Sequence, residues 1–109
     1  MLDEGVPRDL AKALRAAGLR ASAFPNDWKQ LSNGDLLMEA ERHGFGVLIT
    51  GDKSMSYQQS LVNRDMAVLV LPTNKRDAVL ALLPEIVATV ATLQPKEFRR
   101  LDLKGRPRR

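Results

Sequence analysis

Residues 47–52 read Val-Leu-Ile-Thr-Gly-Asp, an apolar run that ends abruptly in a threonine, a glycine and an acid. A short apolar run closed by turn residues is typical of a parallel strand buried on both faces. Residues 66–71 (MAVLVL) form a second run of this kind, and Pro72 ends it. Two such runs in one chain favour a parallel sheet that is covered by helices.

The stretches around these runs have helical spacing. Residues 7–18 predict a helix that begins at Pro7 and ends at Gly18. Ser32, with Asp35 three residues later, is a capping box that predicts a second helix from residue 32 to residue 44. Residues 55–61 predict a short helical turn.

A long apolar helix is predicted over residues 77–93, and Pro84 inside it predicts either a kink or two abutting helices. The end of a strand at residues 2–4 and a strand at residues 19–24 complete the expected elements. Strands alternating with helices predict an α/β fold, with helices on both faces of a largely parallel, four-stranded central sheet.

Sites in such sheets form at the carboxyl ends of strands, where the strand order reverses. This rule selects Asp3-Glu4 after the first predicted strand and Gly51-Asp52 after the third. If these two strands are neighbours, we expect their acids to face each other.

The 109 residues suffice for one domain, and with 44% hydrophobic residues the chain can bury a core. The absence of cysteine excludes disulfides and thiolate metal sites. No apolar run is long enough to span a membrane and no signal peptide is recognisable, so a cytoplasmic protein is expected.

The positive charge lies at one end of the sequence. Residues 95–109 hold seven basic and two acidic residues and carry +5, so the rest of the +4 chain carries −1. We therefore expect a domain over residues 1–94 and a flexible basic tail over residues 95–109. Such a tail either contacts phosphates or is merely a solvated terminus.

Four carboxylates are candidate ligands for a hard cation such as Mg²⁺ or Mn²⁺, which prefers oxygen donors. They are Asp3, Glu4, Asp35 and Asp52. Each has a structural alternative. Asp3 and Asp52 suit turns, Asp35 suits the capping box, and Glu4 suits the first turn of a helix.

Two roles are open for each of Trp28, Tyr57 and the only histidine. His43 lies near a predicted helix C-terminus, where contact with the helix dipole is the expected role and catalysis is the alternative. Trp28 and Tyr57 would either stack on bases or pack at the edge of the core.

Several segments resemble a PIN-like family of bacterial proteins. They are residues 2–8 (LDEGVPR), 31–37 (LSNGDLL), 47–53 (VLITGDK), 57–59 (YQQ) and 68–74 (VLVLPTN). The resemblance extends from residue 2 to about residue 98, and its specificity lies in the order and spacing of these short motifs. It implies a three-layer α/β/α PIN-like fold.

The resemblance also implies a metal-dependent endoribonuclease, often the toxin of a bacterial toxin–antitoxin pair, using Mg²⁺ or Mn²⁺. The catalytic acids would be Asp3, Asp35 and Asp52, and Glu4 would be a further metal ligand. Many relatives place an acid where this chain has Asn33, so Asp35 is the expected substitute.

In this hypothesis Lys53 would contact the phosphate, and Gln58 and Gln59 would contact bases or sugar, whereas the alternative for all three is a polar, solvated loop. Thr73 or Asn74 would hold a metal-bound water. RNA, an antitoxin protein and a second copy of the chain are the implied partners. The competing hypotheses are a non-catalytic binding module, in which the acids are caps and turns, and a subunit that forms a homodimer through residues 79–93.

Overall fold

The computed structural model describes residues 1–53 and 56–108. Within these ranges the helices are α1 (Arg8–Ala16), α2 (Asn33–Arg42), α3 (Ser56–Ser60), α4 (Arg76–Ala81) and α5 (Leu83–Thr92), with a 3-10 turn at Asn26–Trp28. The strands are β1 (Val47–Thr50), β2 (Ala67–Val70), β3 (Phe98–Leu101) and β4 (Pro107–Arg108).

The four strands form one sheet in the order β1-β2-β3-β4. Strands β1, β2 and β3 are parallel, and β4 pairs antiparallel with β3. The chain therefore has an α/β fold with a three-stranded parallel sheet and flanking helices. Both apolar runs predicted as strands are strands in the structure.

The apolar residues of the strands alternate between two core clusters. Ile49 and Leu69 contribute to a cluster with α1, α4 and α5, whereas Leu48 and Val68 contribute to a cluster with α2 and α3. Because successive side chains of a strand point to opposite faces, each helix group covers its own face of the sheet.

The first residues lie beside β1 without forming a full strand. Leu2 makes an isolated parallel bridge with Ile49, and the Asp3 N–H donates to the Ile49 carbonyl at 2.8 Å. On the other side, the Leu2 N–H donates to the carbonyl of Ser22 at 2.9 Å. Residues 1–3 therefore run between Ser22 and β1.

The strand predicted over residues 19–24 is wrong, because the structure assigns no strand to them. Among these residues only Ala21 is buried, and the Arg15 guanidinium donates a hydrogen bond to the Ala21 carbonyl at 2.9 Å. The Leu2 N–H donates to the Ser22 carbonyl, and a strand here would have required further backbone hydrogen bonds of this kind.

The predicted helix ends are confirmed at two positions. Ser32 Oγ accepts the Asp35 N–H at 3.2 Å, which is the expected cap of α2. Gly18 follows α1 with φ of 90°, the left-handed conformation that ends helices and suits glycine. The short turn predicted from residue 55 corresponds to α3, although Met55 itself lies outside the described residues.

The long helix predicted over residues 77–93 is two abutting helices, as one of the alternatives stated. Leu82 ends α4 and caps α5, and Pro84 lies in the first turn of α5, where its missing N–H costs no hydrogen bond. Val79 and Ile86 are fully buried against the sheet, so the apolar face of this pair packs within the chain.

The structure differs from the expected tail over residues 95–109. Residues 98–101 form β3, which pairs with β2, and Leu101 is buried in the same cluster as Leu69. Only Phe98 and Leu101 in this strand are apolar. Because two arginines stand between them, the sequence has no apolar run that would predict a strand here. Across the described ranges, no helix is long and apolar enough to cross a membrane.

Candidate functional site

The order of segments across the sheet reverses at residues 1–3. The next segment in the chain, around Ser22, lies on one side of these residues, and the later strand β1 lies on the other side. Such a reversal leaves a crevice beyond the carboxyl ends of the two central segments. The first residue beyond Leu2 is Asp3, and the last residue of β1 is Thr50, so these two side chains meet at the crevice.

Asp3 is a buried acid, with only 9% of its surface exposed, and three hydrogen bonds hold its side chain. Its Oδ2 accepts from Thr50 Oγ1 and from the Tyr57 hydroxyl, each at 2.7 Å. Its Oδ1 accepts from the N–H of Glu4, also at 2.7 Å. All three donors are neutral groups, and together they fix the position of a carboxyl group that no described cation contacts.

Thr50 links Asp3 to the loop that follows β1. Its buried hydroxyl donates to Asp3 and accepts the N–H of Asp52 at 3.0 Å. Asn33, in the first turn of α2, donates through Nδ2 to Asp52 Oδ2 at 3.4 Å. The two acids selected from the sequence are therefore linked through one threonine, Thr50, which contacts the Asp3 side chain and the Asp52 backbone.

Tyr57 is the buried donor that sequence reasoning did not assign to the site. Its side chain is 1% exposed, and the pKa of its phenol is raised, first by burial and then by the hydrogen bond to Asp3. The available signal was that a buried tyrosine hydroxyl requires a partner. Stacking on bases and packing at the core edge were the two alternatives for Tyr57, and the structure instead buries its ring fully in the core cluster of α2 and α3.

Asn74, in the loop after β2, packs over two glycines of the site. A Cβ built on Gly51 would overlap the Asn74 side-chain amide, and one built on Gly5 would lie 3.4 Å from Asn74 Nδ2. Glycine at these positions lets the loops after residue 3, after β1 and after β2 approach one another closely.

Asp3, Asp52 and Tyr57 line a cleft of about 250 Å³, which we call the acidic cleft. Its polar lining consists of Asp3, Glu4, Lys29, Asn33, Asp52 and Tyr57, so three acids and one cation face the cavity. Its apolar wall includes Phe24, Trp28 and Leu31. Three of the four predicted acids thus share one cavity. The fourth, Asp35, is exposed in the first turn of α2 and is not part of this lining.

The predicted substrate contacts are distributed around the cleft. Lys53 is exposed and lines a neighbouring groove, and Gln58 and Gln59 are exposed on α3. Asn74 lies against Gly5 and Gly51.

His43 is engaged in local structure. It caps the C-terminus of α2, as expected, and its Nδ1 lies 2.8 Å from the Glu39 carbonyl. Its ring makes an edge contact with Trp28, with centroids 5.2 Å apart. Trp28 therefore packs between the acidic cleft and the end of α2.

A pre-assembled metal centre is not formed by the described residues. No three of their acids and histidines lie close enough together to hold an ion. The donors that the acidic cleft does offer are carboxylate oxygens, which suit Mg²⁺ and Mn²⁺ and not thiophilic metals. Magnesium is often held by one or two carboxylates, with water and a substrate phosphate as the other ligands, and the acidic cleft fits that mode.

No protein-family model matches the chain. Searches of curated proteins and of solved structures likewise gave no match.

Proposed function

We propose that this chain is a PIN-like domain that cleaves RNA internally at the acidic cleft, with Mg²⁺ or Mn²⁺ as cofactor. The observation that carries the proposal is the buried carboxylate of Asp3, fixed at the reversal of strand order by Thr50 and Tyr57. A buried acid whose oxygens are fixed by several donors, in one cavity with two further acids, suits charge chemistry better than core stability.

The architecture supports the PIN-like part of the proposal. Helices α1, α4 and α5 form one core cluster with the sheet, and α2 and α3 form the other, which suits a three-layer α/β/α arrangement. The segments that resemble the family contribute Asp3, Glu4, Asn33 and Asp52 to one cavity. Fold likeness alone would be a weak warrant for activity, so the proposal rests on the cleft.

The residues of the acidic cleft would have distinct roles. Asp3, through Oδ1, and Asp52 would hold the cation, and Glu4 at the rim would add negative charge. The cation, when bound, supplies Lewis acidity toward a phosphate and lowers the pKa of a bound water. Thr50 and Tyr57 orient the carboxyl group of Asp3, and Asn33 orients the carboxylate of Asp52.

The resemblance extends the proposal to the toxin of a toxin–antitoxin pair, with an antitoxin protein as partner. The proposed homodimer would use the surface of α4 and α5 that remains outside the core. The partly exposed apolar residues of α5 and its C-cap would supply that surface, although they also pack against the core: Leu83, Val87, Val90 and Leu93.

A non-catalytic binding module is the second candidate, and one observation favours it. Asp3 Oδ2 already accepts two hydroxyl donors, and the acids of the acidic cleft do not form a group of three. In this alternative the carboxylate network would shape the loops, and nucleic acid would be bound elsewhere on the surface.

Cleavage of labelled single-stranded RNA separates the two candidates. We would compare the wild type, Asp52→Asn and Asp35→Asn, each with Mn²⁺ and with excess EDTA. Asp35→Asn is the matched control because it removes the same charge outside the acidic cleft. The proposal expects cleavage by the wild type and the control with Mn²⁺, and none by Asp52→Asn or in EDTA.

Two results would count against the nuclease. One is absence of cleavage by the wild type, with Mn²⁺ also failing to raise the melting temperature. The other is cleavage that survives both EDTA and Asp52→Asn, because it would originate outside the acidic cleft. Equal loss in the control would instead return Asp35 to the site.

A further inference from the structure

A second cavity lies beyond the carboxyl ends of β2 and β3. It measures about 640 Å³, and Leu71 and Leu101 contribute to its floor. Four cationic side chains line it: Lys53, Arg100, Lys104 and Arg106. We call this cavity the basic groove.

The described residues leave the basic groove positively charged. Among them Asp102 is the only acid in its lining, which leaves a net charge of +3. Across residues 1–53 and 56–108, none of the four cations forms an ion pair with an acid. The adjacent Arg99 differs, since it pairs with Glu97 at 2.6 Å.

The strand geometry explains why two consecutive arginines differ. Arg99 and Arg100 point to opposite faces of β3 because side chains alternate along a strand. Arg99 lies on the face of Leu101 and also reaches Thr92 of α5 at 3.5 Å. Arg100 lies on the face of Phe98, which belongs to the cluster of α2 and α3.

The turn between β3 and β4 fixes the backbone at two of the cationic residues. Asp102 Oδ1 accepts the backbone N–H groups of Lys104 and Arg106 at 2.9 and 2.8 Å. The Asp102 N–H also donates to the Arg106 carbonyl at 2.9 Å. The one acid of the basic groove therefore organises the turn that presents Lys104 and Arg106.

We propose that the basic groove binds the phosphate backbone of single-stranded RNA and leads the strand to the acidic cleft. Four unpaired cations along an open groove suit several phosphates of one chain, which is how non-specific binding of single strands arises. Leu103, 70% exposed at the edge of the groove, offers an apolar surface to a base.

The two cavities are contiguous in the chain. Asp52 lines the acidic cleft and the next residue, Lys53, lines the basic groove. A strand bound along the cations would thus have a phosphate near the acids. The inference deepens the proposed nuclease function and rests on it for the identity of the nucleic acid.

Binding is measured separately from cleavage by fluorescence anisotropy of a labelled single-stranded RNA in EDTA. The test variant combines Arg100→Gln with Lys104→Gln. The matched control combines Lys12→Gln with Arg42→Gln, which also removes one lysine and one arginine, from exposed positions on α1 and α2. Lys104→Glu in the exposed turn is a second variant that leaves β3 untouched, and melting curves confirm that each protein is folded.

We expect the test variant to bind on the order of tenfold more weakly than the control at low salt. Its slope of log affinity against log salt concentration should be shallower by about 1.4, since each lost phosphate contact contributes about 0.7 for a single strand. Lys104→Glu should also weaken binding. Equal weakening in the control pair would overturn the inference, because only net charge would then matter.

Failure of the two proposals is distinguishable. If the variants lose RNA binding while the wild type never cleaves RNA, RNA binding by the basic groove is supported and the nuclease proposal is contradicted. If the wild type cleaves RNA at the acidic cleft but the groove variants bind and cleave normally, the nuclease proposal is supported and the role of the basic groove is contradicted.

Discussion

The hydroxyl of Tyr57 donates a 2.7 Å hydrogen bond to Oδ2 of Asp3, which lies 54 positions earlier in the chain. Both side chains are buried, so the bond joins α3 to the first residues beside β1 in a region of low dielectric. Burying a carboxyl group in such a place costs free energy unless its hydrogen-bond donors remain in position.

Tyr57→Phe should lower the free energy of unfolding by about 2 kcal/mol, because a hydrogen bond to a charged group is lost while the ring still packs. Urea denaturation measures the change. A double-mutant cycle with Asp3→Asn isolates the pair, and we expect clearly non-additive losses. Additive losses would mean that the hydroxyl and the carboxylate are not coupled.

Alkaline pH should destabilise the fold through Tyr57. Its folded pKa is raised above the unfolded value of about 10, so its contribution to stability is complete below that pH. Above it the unfolded chain releases the proton first, and the unfolding free energy falls by up to about 1.4 kcal/mol per pH unit. Tyr57→Phe should lack this component.

The chain contains one tyrosine, so the ultraviolet absorbance of tyrosinate reports on Tyr57 alone. We expect tyrosinate to appear only together with loss of the circular dichroism signal of the fold. Ionisation near pH 10 in a still-folded protein would contradict the buried hydrogen bond.

Asn33→Asp should improve metal binding, because it adds a carboxylate where Asn33 now donates to Asp52. We expect Mn²⁺ affinity, measured by calorimetry, to rise on the order of tenfold. Without metal, the lost hydrogen bond and the added repulsion should cost roughly 1 kcal/mol of stability. Asp35→Asn is the control and should leave Mn²⁺ affinity unchanged; a loss there would place Asp35 among the ligands.

Gly105→Ala should destabilise the turn between β3 and β4 more than Gly18→Ala destabilises the end of α1. Both glycines have positive φ, 76° and 90°. A Cβ on Gly105 would overlap Glu85 Cγ and lie 2.9 Å from Glu85 Cβ, whereas one on Gly18 would meet nothing within 4 Å. We expect losses of about 3 and about 1 kcal/mol respectively in urea denaturation. Equal losses would show that Glu85 can move aside.

Sequence patterns predicted the elements whose signals are local. The runs at β1 and β2, the Ser32 cap and the proline of α5 each depend on near neighbours in the chain. Strand β3 could not be predicted in this way, because its stability comes from pairing with β2 and from only two apolar side chains.

The site divides along the same line. The meeting of Asp3 with the loop of Asp52 followed from the rule that parallel strands end at one edge of a sheet. That Tyr57 and Thr50 would supply the donors depends on which side chains the packing of α3 and β1 brings within 3 Å, and periodicity carries no such information. The exclusion of Asp35 from the acidic cleft likewise depends on how α2 is rotated about its axis.

Asp52 of the acidic cleft and Lys53 of the basic groove are joined by one peptide bond. In the proposed nuclease, this change from acidic to basic lining would impose an order of events on an incoming RNA strand. Its phosphates would be attracted to the basic groove and repelled by the acids until a divalent ion neutralised them. The RNA strand would then bind the basic groove first, and it would enter the acidic cleft only after the divalent ion is bound there.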